Sequence, residues 1–373
     1  MLFRSNAEVI KHVNISESEV IAIDMPSGLF ADATSVQHKD VIVNATHTLT
    51  FQVMKLALLF PENAKHYGSV KLMDIKLDKN YIAALPLQHL IIGRDDVNEI
   101  IKPRKPFSHK GNYGHALIIA GSYGKTGAAQ LAARACLRSG AGLVTVNVPA
   151  CGYNPLQTAL PEVMVLADEC EHHLAHAVDF SVYDAIGIGP GIGQQNDTST
   201  IVKMLIQNSI NPIIIDADAI NILAENKTWL SFLPQGSILT PHVREFERLA
   251  GKTSNDFERH QLQIDFAVKY QCYVVLKGKY TCIATPKGRC FFNPTGNAGM
   301  ATAGAGDVLT GIITGLLAQG YHPSEAAIAG VYLHGLSGDL ALRNQSVQSL
   351  IAGDIVESLG NAFKELSNSD SVS

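Results

Sequence analysis

The chain has 373 residues, 29 of them basic and 34 acidic, giving a net charge of −5 with 46% hydrophobic residues. That is more than one core usually fills, so two domains or one large α/β domain are expected, and disorder is excluded. The acidic balance argues against nucleic acid or an anionic membrane surface as the main partner. No run reaches the ~18 apolar residues of a membrane span, and the start MLFRSNAEVIKHVN lacks the apolar stretch of a signal peptide. Six cysteines without C-x-x-C spacing read as reduced thiols. A cytoplasmic protein is expected.

Short, β-branched, nearly all-apolar runs mark strands buried on both faces. In chain order they are Val20 to Asp24, His115 to Gly121, Gly142 to Pro149, Ala185 to Pro190, Pro212 to Asp218, Ser237 to His242 and Tyr273 to Gly278. Helical stretches such as Ala128 to Gly140 and Ser199 to Ser209 fall between them. Strand followed by helix, repeated, predicts a parallel sheet with right-handed crossovers, whose ligands bind beyond the carboxyl ends of the strands. From Gly304 onward small-residue helices follow, then an amphipathic stretch from Ile355 to Leu366. The weakest join lies between Lys79 and Lys110, where Pro and Lys gather. A boundary after residue 82 leaves an N-terminal segment 1–82, marginal as an α/β domain by itself. The main domain then spans 83–366, and a frayed tail 367–373.

The sharpest motif runs from Asn297 to Asp307, NAGMATAGAGD, and an apolar helix follows it. Small residues before a helix leave backbone N–H groups bare at the positive end of the dipole, an anion hole. Asp307 there is a helix cap or, since a cap needs no glycines at 299, 304 and 306, a base for a hydroxyl attacking a phosphoryl group. The turn Gly121 to Ala128, GSYGKTGA, resembles a P-loop, but the required glycine five positions before Gly-Lys-Thr is Ile119. It suits a phosphate or a ribose, or is simply a tight turn. Gly187 to Gly193, GIGPGIG, is a weak glycine cluster. Asp216, Asp218 and Asn221 after the next strand are candidate contacts for a metal-bound phosphate or an amide, or else turn formers. His242 and Glu245 are three apart on one helical face. Glu245 either orients a water on Mg²⁺ or caps the helix. Lys277 to Thr281 is a phosphate-pairing lysine in a Gly turn, or a solvated hairpin. His172 and His176 have i, i+4 spacing without a third ligand motif and are set aside as a zinc site.

Taken in order, HKGNYG, IAGSYGKTGA, GAGLV, GIGPGIG, DADAIN, TPHVREF, KG, NAGMATAGAGDVLTGII and AGVYLHGLSGD resemble the ADP/ATP-dependent NAD(P)H-hydrate dehydratases, from about Phe107 to near Phe363. That resemblance implies a ribokinase-like three-layer α/β fold with a mostly parallel central sheet. It also implies repair of the S epimer of hydrated NAD(P)H. The 6-hydroxyl is phosphorylated from ADP or ATP, and phosphate is then eliminated. By the same resemblance Asp307 is the base and contacts the hydrate, together with Ala128, Gly191, Gly193 and His242. Lys277, Gly278, Lys279, Tyr280, Thr281, Gly304 and Gly306 hold the nucleotide, with Mg²⁺. A homo-oligomer, specifically a tetramer, is implied as well.

VIAIDMPSGLFAD, LTFQVMKLALLFPEN and VKLMDIKLD resemble the C-terminal part of an NAD(P)H-hydrate epimerase domain, a partial α/β segment. Asp24 matches its hydrate-binding Asp and Ser27 its K⁺ ligand. The Asn- and Gly-rich loop and first strands of that domain have no counterpart here. The expectation is therefore no epimerisation, and K⁺ only if such a site were intact. Two other readings stand beside this one: a ribokinase-like kinase releasing a stable phosphorylated alcohol, and a non-catalytic nucleotide-binding sensor.

Overall fold

Apolar runs bounded by Gly, Asp and Pro become the strands, and the computed structural model describes residues 5–35 and 41–367. The chain divides into two units, residues 1–87 with Lys252–Leu262, and Gln88–Gly251 with the remainder from Gln263. The first stretch ends at Leu87, and the strand at His89–Ile91 pairs in parallel with Cys290–Phe292 of the main sheet. The expected tail lies outside the described residues except for Ser367, which ends the helix Ala352–Ser367.

In the first unit, Ser5 caps a helix at Asn6–Asn14 by accepting the N–H of Glu8. Three parallel strands follow, β1 (Ile21–Ile23), β2 (His47–Phe51) and β3 (Ser69–Met73), in that spatial order. One face of this sheet covers Leu29, Ile42, Ala57 and Leu58. On the other, Ile21 and Ile23 remain 54% and 60% exposed, a bare face on a kind of sheet normally covered on both sides.

The second unit is built on ten strands. They are β4 (His89–Ile91), β5 (His115–Ile119), β6 (Leu143–Val148), β7 (Met164–Ala167), β8 (Ala185–Ile188), β9 (Ile213–Ile215), β10 (Ile238–Leu239), β11 (Tyr273–Leu276), β12 (Cys282–Ala284) and β13 (Cys290–Phe292). The spatial order is β4-β13-β12-β11-β10-β9-β8-β5-β6-β7, and only β12 runs antiparallel to its neighbours. The seven strands read from the sequence are present as β1, β5, β6, β8, β9, β10 and β11. The strands β2, β3, β4, β7, β12 and β13 were not read.

Helices cover both faces of this sheet. The small-residue helices Ala305–Ala318 and Pro323–Ala341 are mostly buried, the first over 12 of its 14 residues and the second over 13 of 19. They approach their neighbours closely. A Cβ at Gly311 would lie 2.1 Å from the Ala132 carbonyl oxygen of the helix Thr126–Arg138. Gly311→Ala therefore forces two packed helices apart. It should destabilise the protein by about 1–3 kcal/mol, read as a lower urea midpoint at unchanged slope.

Candidate active site

The strands β11, β10, β9, β8 and β5 are adjacent and parallel, so their carboxyl ends open on one edge. That edge receives Lys277, His242, Asp216, the Gly187–Gly193 loop and the Gly121–Ala128 turn. Five motifs scattered between Gly121 and Lys277 thus become neighbours.

At the centre Lys277 Nζ lies 2.9 Å from Asp216 Oδ1, a carboxylate 1% exposed. Thr310 Oγ1 donates to the other oxygen of Asp216 at 2.8 Å. Burial alone would push the Lys277 pKa down, but the carboxylates of Asp216, Glu245 and Asp307 hold it above the usual lysine range. Gly306 sits over this pair, since a Cβ there would lie 3.3 Å from Lys277 Nζ and 3.6 Å from Asp216 Oδ2.

The helix carrying Asp307 begins at Gly304, whose φ of +87° is the left-handed region that glycine enters freely. No side chain caps this end. Its first N–H groups and dipole thus favour an anion, and Asp307 stands in the first turn rather than at the cap. Burial, with the charges of Asp216 and Asp218, raises the Asp307 carboxyl to about 6, against the opposing pull of Lys277. A carboxylate that titrates near neutrality is placed to accept a proton.

A second cluster lies beside it. Asp218 accepts the N–H of Gly193 at 2.9 Å and meets Lys125 Nζ at 3.5 Å. Ser122 Oγ donates to the Gly191 carbonyl at 2.7 Å. A Cβ on Gly191 would lie 3.2 Å from that of Ala128, so Ala128 and Gly191 face each other closely.

Glu245 lies nearby and is buried, but its engagements are local. Oε2 accepts the N–H of His242 at 2.8 Å, Oε1 lies 3.4 Å from His242 Nε2, and His242 Nδ1 accepts the N–H of Glu245. This is a capping box, the helix-cap alternative. Lys279, Tyr280 and Thr281 form the hairpin turn between β11 and β12. There Thr281 Oγ1 bonds Gly278 and the Lys279 ammonium lies over the Tyr280 ring. Asn221 accepts a bond from Arg248. The ring of His172 packs on Tyr123 and His176 Nδ1 bonds Asp168.

Residues without a role in the sequence reading also support the site. His334 Nε2 lies 2.9 Å from the Ala305 carbonyl. Burial pushes its pKa down to about 4, with Lys277 acting in the same direction, so a neutral ring donates there. Asp339 accepts the Gly296 N–H at 2.9 Å and Asn297 Nδ2 at 3.0 Å, fixing the start of the glycine-rich loop. Both belong to the segment AGVYLHGLSGD.

Asp24 and Ser27 belong to the other unit. Asp24 adopts a φ of +65°. Burial opposes its ionisation, but the Lys55 ammonium and the Phe51 N–H, 3.0 Å away, hold its carboxyl below the usual range. The Ser27 carbonyl accepts the Val43 N–H and the residue is exposed. With Lys55 already on the carboxylate, these residues do not fit a K⁺ site.

Comparison with known proteins agrees with this architecture. The chain has the ribokinase-like fold: a ribokinase-like superfamily protein from Enterococcus faecalis superimposes with a TM-score of 0.65 at 31% identity, over 76% of this chain and 98% of that one. An ADP/ATP-dependent NAD(P)H-hydrate dehydratase from Bacillus subtilis, co-crystallised with ATP and Mg²⁺, gives 0.64 at 32% identity, over 74% of this chain and 98% of that one. The NAD(P)H-hydrate dehydratase family model matches residues 116–361, and the model of the YjeF-related protein N-terminus matches residues 3–57. The bifunctional NAD(P)H-hydrate repair enzyme of Moorella thermoacetica is 36% identical over 373 residues, covering 96% of this chain and 69% of that protein. Its Escherichia coli counterpart is 33% identical over 357 residues, covering 95% and 67%. The chain belongs to the NAD(P)H-hydrate dehydratase family of hydro-lyases.

Proposed function

We propose that this chain returns the S epimer of hydrated NAD(P)H to NAD(P)H, with ADP or ATP as phosphoryl donor. The observation that carries the reading is Asp307: a carboxylate raised to about 6 at an uncapped helix start beside Lys277. Asp307 takes the proton of the 6-hydroxyl as its oxygen attacks the terminal phosphoryl group. The N–H groups of the first helical turn, reached over Gly304 and Gly306, steady the transferring phosphate. The C–O bond to phosphate then breaks under the push of the ring nitrogen lone pair, and loss of a proton from the adjacent carbon restores the dihydropyridine.

In this reading Ala128, Gly191, Gly193 and His242 line the hydrate, and the Lys277 to Thr281 turn lies against the nucleotide. Asp216 and Asp218 both push Asp307 upward, a crowd of negative charge that a divalent cation would relieve. Mg²⁺ would be held by Asp218 and, through water, by Glu245, whose carboxylate also closes the His242 capping box. When bound, Mg²⁺ neutralises charge on the nucleotide phosphates. A tetramer is expected by light scattering, and a cytoplasmic location by cell fractionation. No helix among the described residues is long and apolar enough to cross a membrane.

Purified protein supplied with hydrated NADH and ADP or ATP should yield one reduced cofactor and one phosphate per turnover. A stable phosphorylated product without NADH would favour the kinase alternative. Nucleotide binding without phosphate release would favour the sensor. The N-terminal unit, with a bare sheet face and with Asp24 engaged by Lys55, is expected not to interconvert the R and S hydrates. Chromatography of the R hydrate incubated with the protein checks this, and conversion to S would contradict it.

A further inference from the structure

One turn away from the centre just described gathers a thiol, an imidazole and a carboxylate. Asp168, directly after β7, is 7% exposed and organises that turn. Its carboxylate accepts the N–H of Cys170 at 2.9 Å, those of Ala175 and His176 at 2.8 Å, and a bond from His176 Nδ1. Thr198 Oγ1 donates to the Leu174 carbonyl at 2.9 Å, pinning the turn to the helix Asn196–Asn208. Within this frame Cys170 Sγ stands 3.4 Å from His173 Nδ1, and His173 Nε2 stands 3.3 Å from Asp197 Oδ2. Cys170 and Cys151 are half-buried, whereas Cys136, Cys272, Cys282 and Cys290 are buried.

We propose that Cys170 is a peroxide-reactive thiol, with His173 as its proton partner and Asp197 holding the imidazole in place. The thiolate is the reacting form of a cysteine, and His173 Nδ1, 3.4 Å from Sγ, is placed to take the thiol proton as the sulfur attacks. His173 takes the thiol proton and the sulfur attacks one oxygen of a hydroperoxide. The S–O bond forms as the O–O bond breaks, and the leaving alkoxide recovers the proton from His173. The sulfur is oxidised to a sulfenic acid and the hydroperoxide is reduced to an alcohol, or to water when it is hydrogen peroxide. Location gives the modification consequence. The His172 carbonyl, two residues on, accepts the Tyr123 N–H of the glycine-rich turn at 2.9 Å.

Cys151 is the internal comparison. It is also half-buried, but burial, the neighbouring Glu171 and Cys170 itself push its thiol up. The full-length protein is exposed to hydrogen peroxide, sulfenic acid is trapped with a 1,3-dione, and labelled peptides are followed by mass spectrometry. Cys170 should label about tenfold faster than Cys151, and His173→Asn should remove most of that difference by slowing Cys170. Asp197→Asn, at a side chain 62% exposed and tolerant of change, should lower the Cys170 rate in the same direction. Equal labelling of the two cysteines, or a Cys170 rate indifferent to both substitutions in folded protein, would overturn the proposal.

Discussion

Asp307→Asn is expected to lower turnover of the hydrate by about 10² to 10⁴ while leaving nucleotide binding largely intact. Asparagine keeps the shape of the side chain and loses only its capacity to accept the hydroxyl proton. The phosphate-gripping N–H groups belong to the backbone of the helix start and remain. Steady-state kinetics with calorimetric ADP binding separates the two effects. The same variant carries a stability signature. In the folded protein the carboxyl titrates at about 6, against an ordinary value of 3.8. Between those values the native state holds a proton that the unfolded chain has released. Stability therefore falls as pH rises through that window and stays lower above it. Asparagine escapes this loss, so the variant should melt higher than the wild type above pH ~6, with the gap closing towards pH ~4. A gap that does not vary with pH would contradict the raised carboxyl.

Lys277→Met should be the most destabilising substitution at the site. Asp216 is 1% exposed, and without the ammonium it keeps only the Thr310 hydroxyl as partner. Removing one member of a buried ion pair costs about 3–5 kcal/mol, and the lower end applies because Lys277 is itself 23% exposed. Catalysis should suffer separately, since Lys277 holds the Asp307 pKa down and its loss would move that titration to higher pH. The double variant Lys277→Met/Asp216→Asn removes the Asp216 charge together with its partner and should recover part of the stability. Urea unfolding of the three proteins tests this. A single variant as stable as the wild type would show that the pair contributes nothing.

The edge of the sheet was legible because its strands are short apolar runs ended by Gly, Asp, His or Lys, a local pattern. The helix start at Gly304 was equally legible, since glycines crowded before an apolar helix mark bare backbone. Supporting residues were not. Thr310 bonds Asp216 across 94 positions and Asp339 holds Gly296 across 43, and no local period signals a partner so distant. Helical spacing offered one clue, because Thr310 lies one turn after Asp307 on the same face. The helix-cap reading of Glu245 rests on His242 accepting its N–H through a ring nitrogen, a cap that the usual Ser, Thr, Asp and Asn preferences do not flag. The strands β12 and β13 were missed because they form an antiparallel hairpin beside β11, outside the alternation of strand and helix that marks the rest.

The proposed chemistry depends on a carboxylate that loses its proton near neutrality next to an uncapped helix start. The pH dependence of kcat/KM for the S hydrate, at saturating ADP, tests this most directly. The predicted result is a rate that falls tenfold per pH unit below an apparent pKa of about 6, a limb absent from the residual activity of Asp307→Asn. A profile flat from pH ~5 to ~7 in the wild type, or an unchanged limb in the variant, would remove Asp307 from the chemistry.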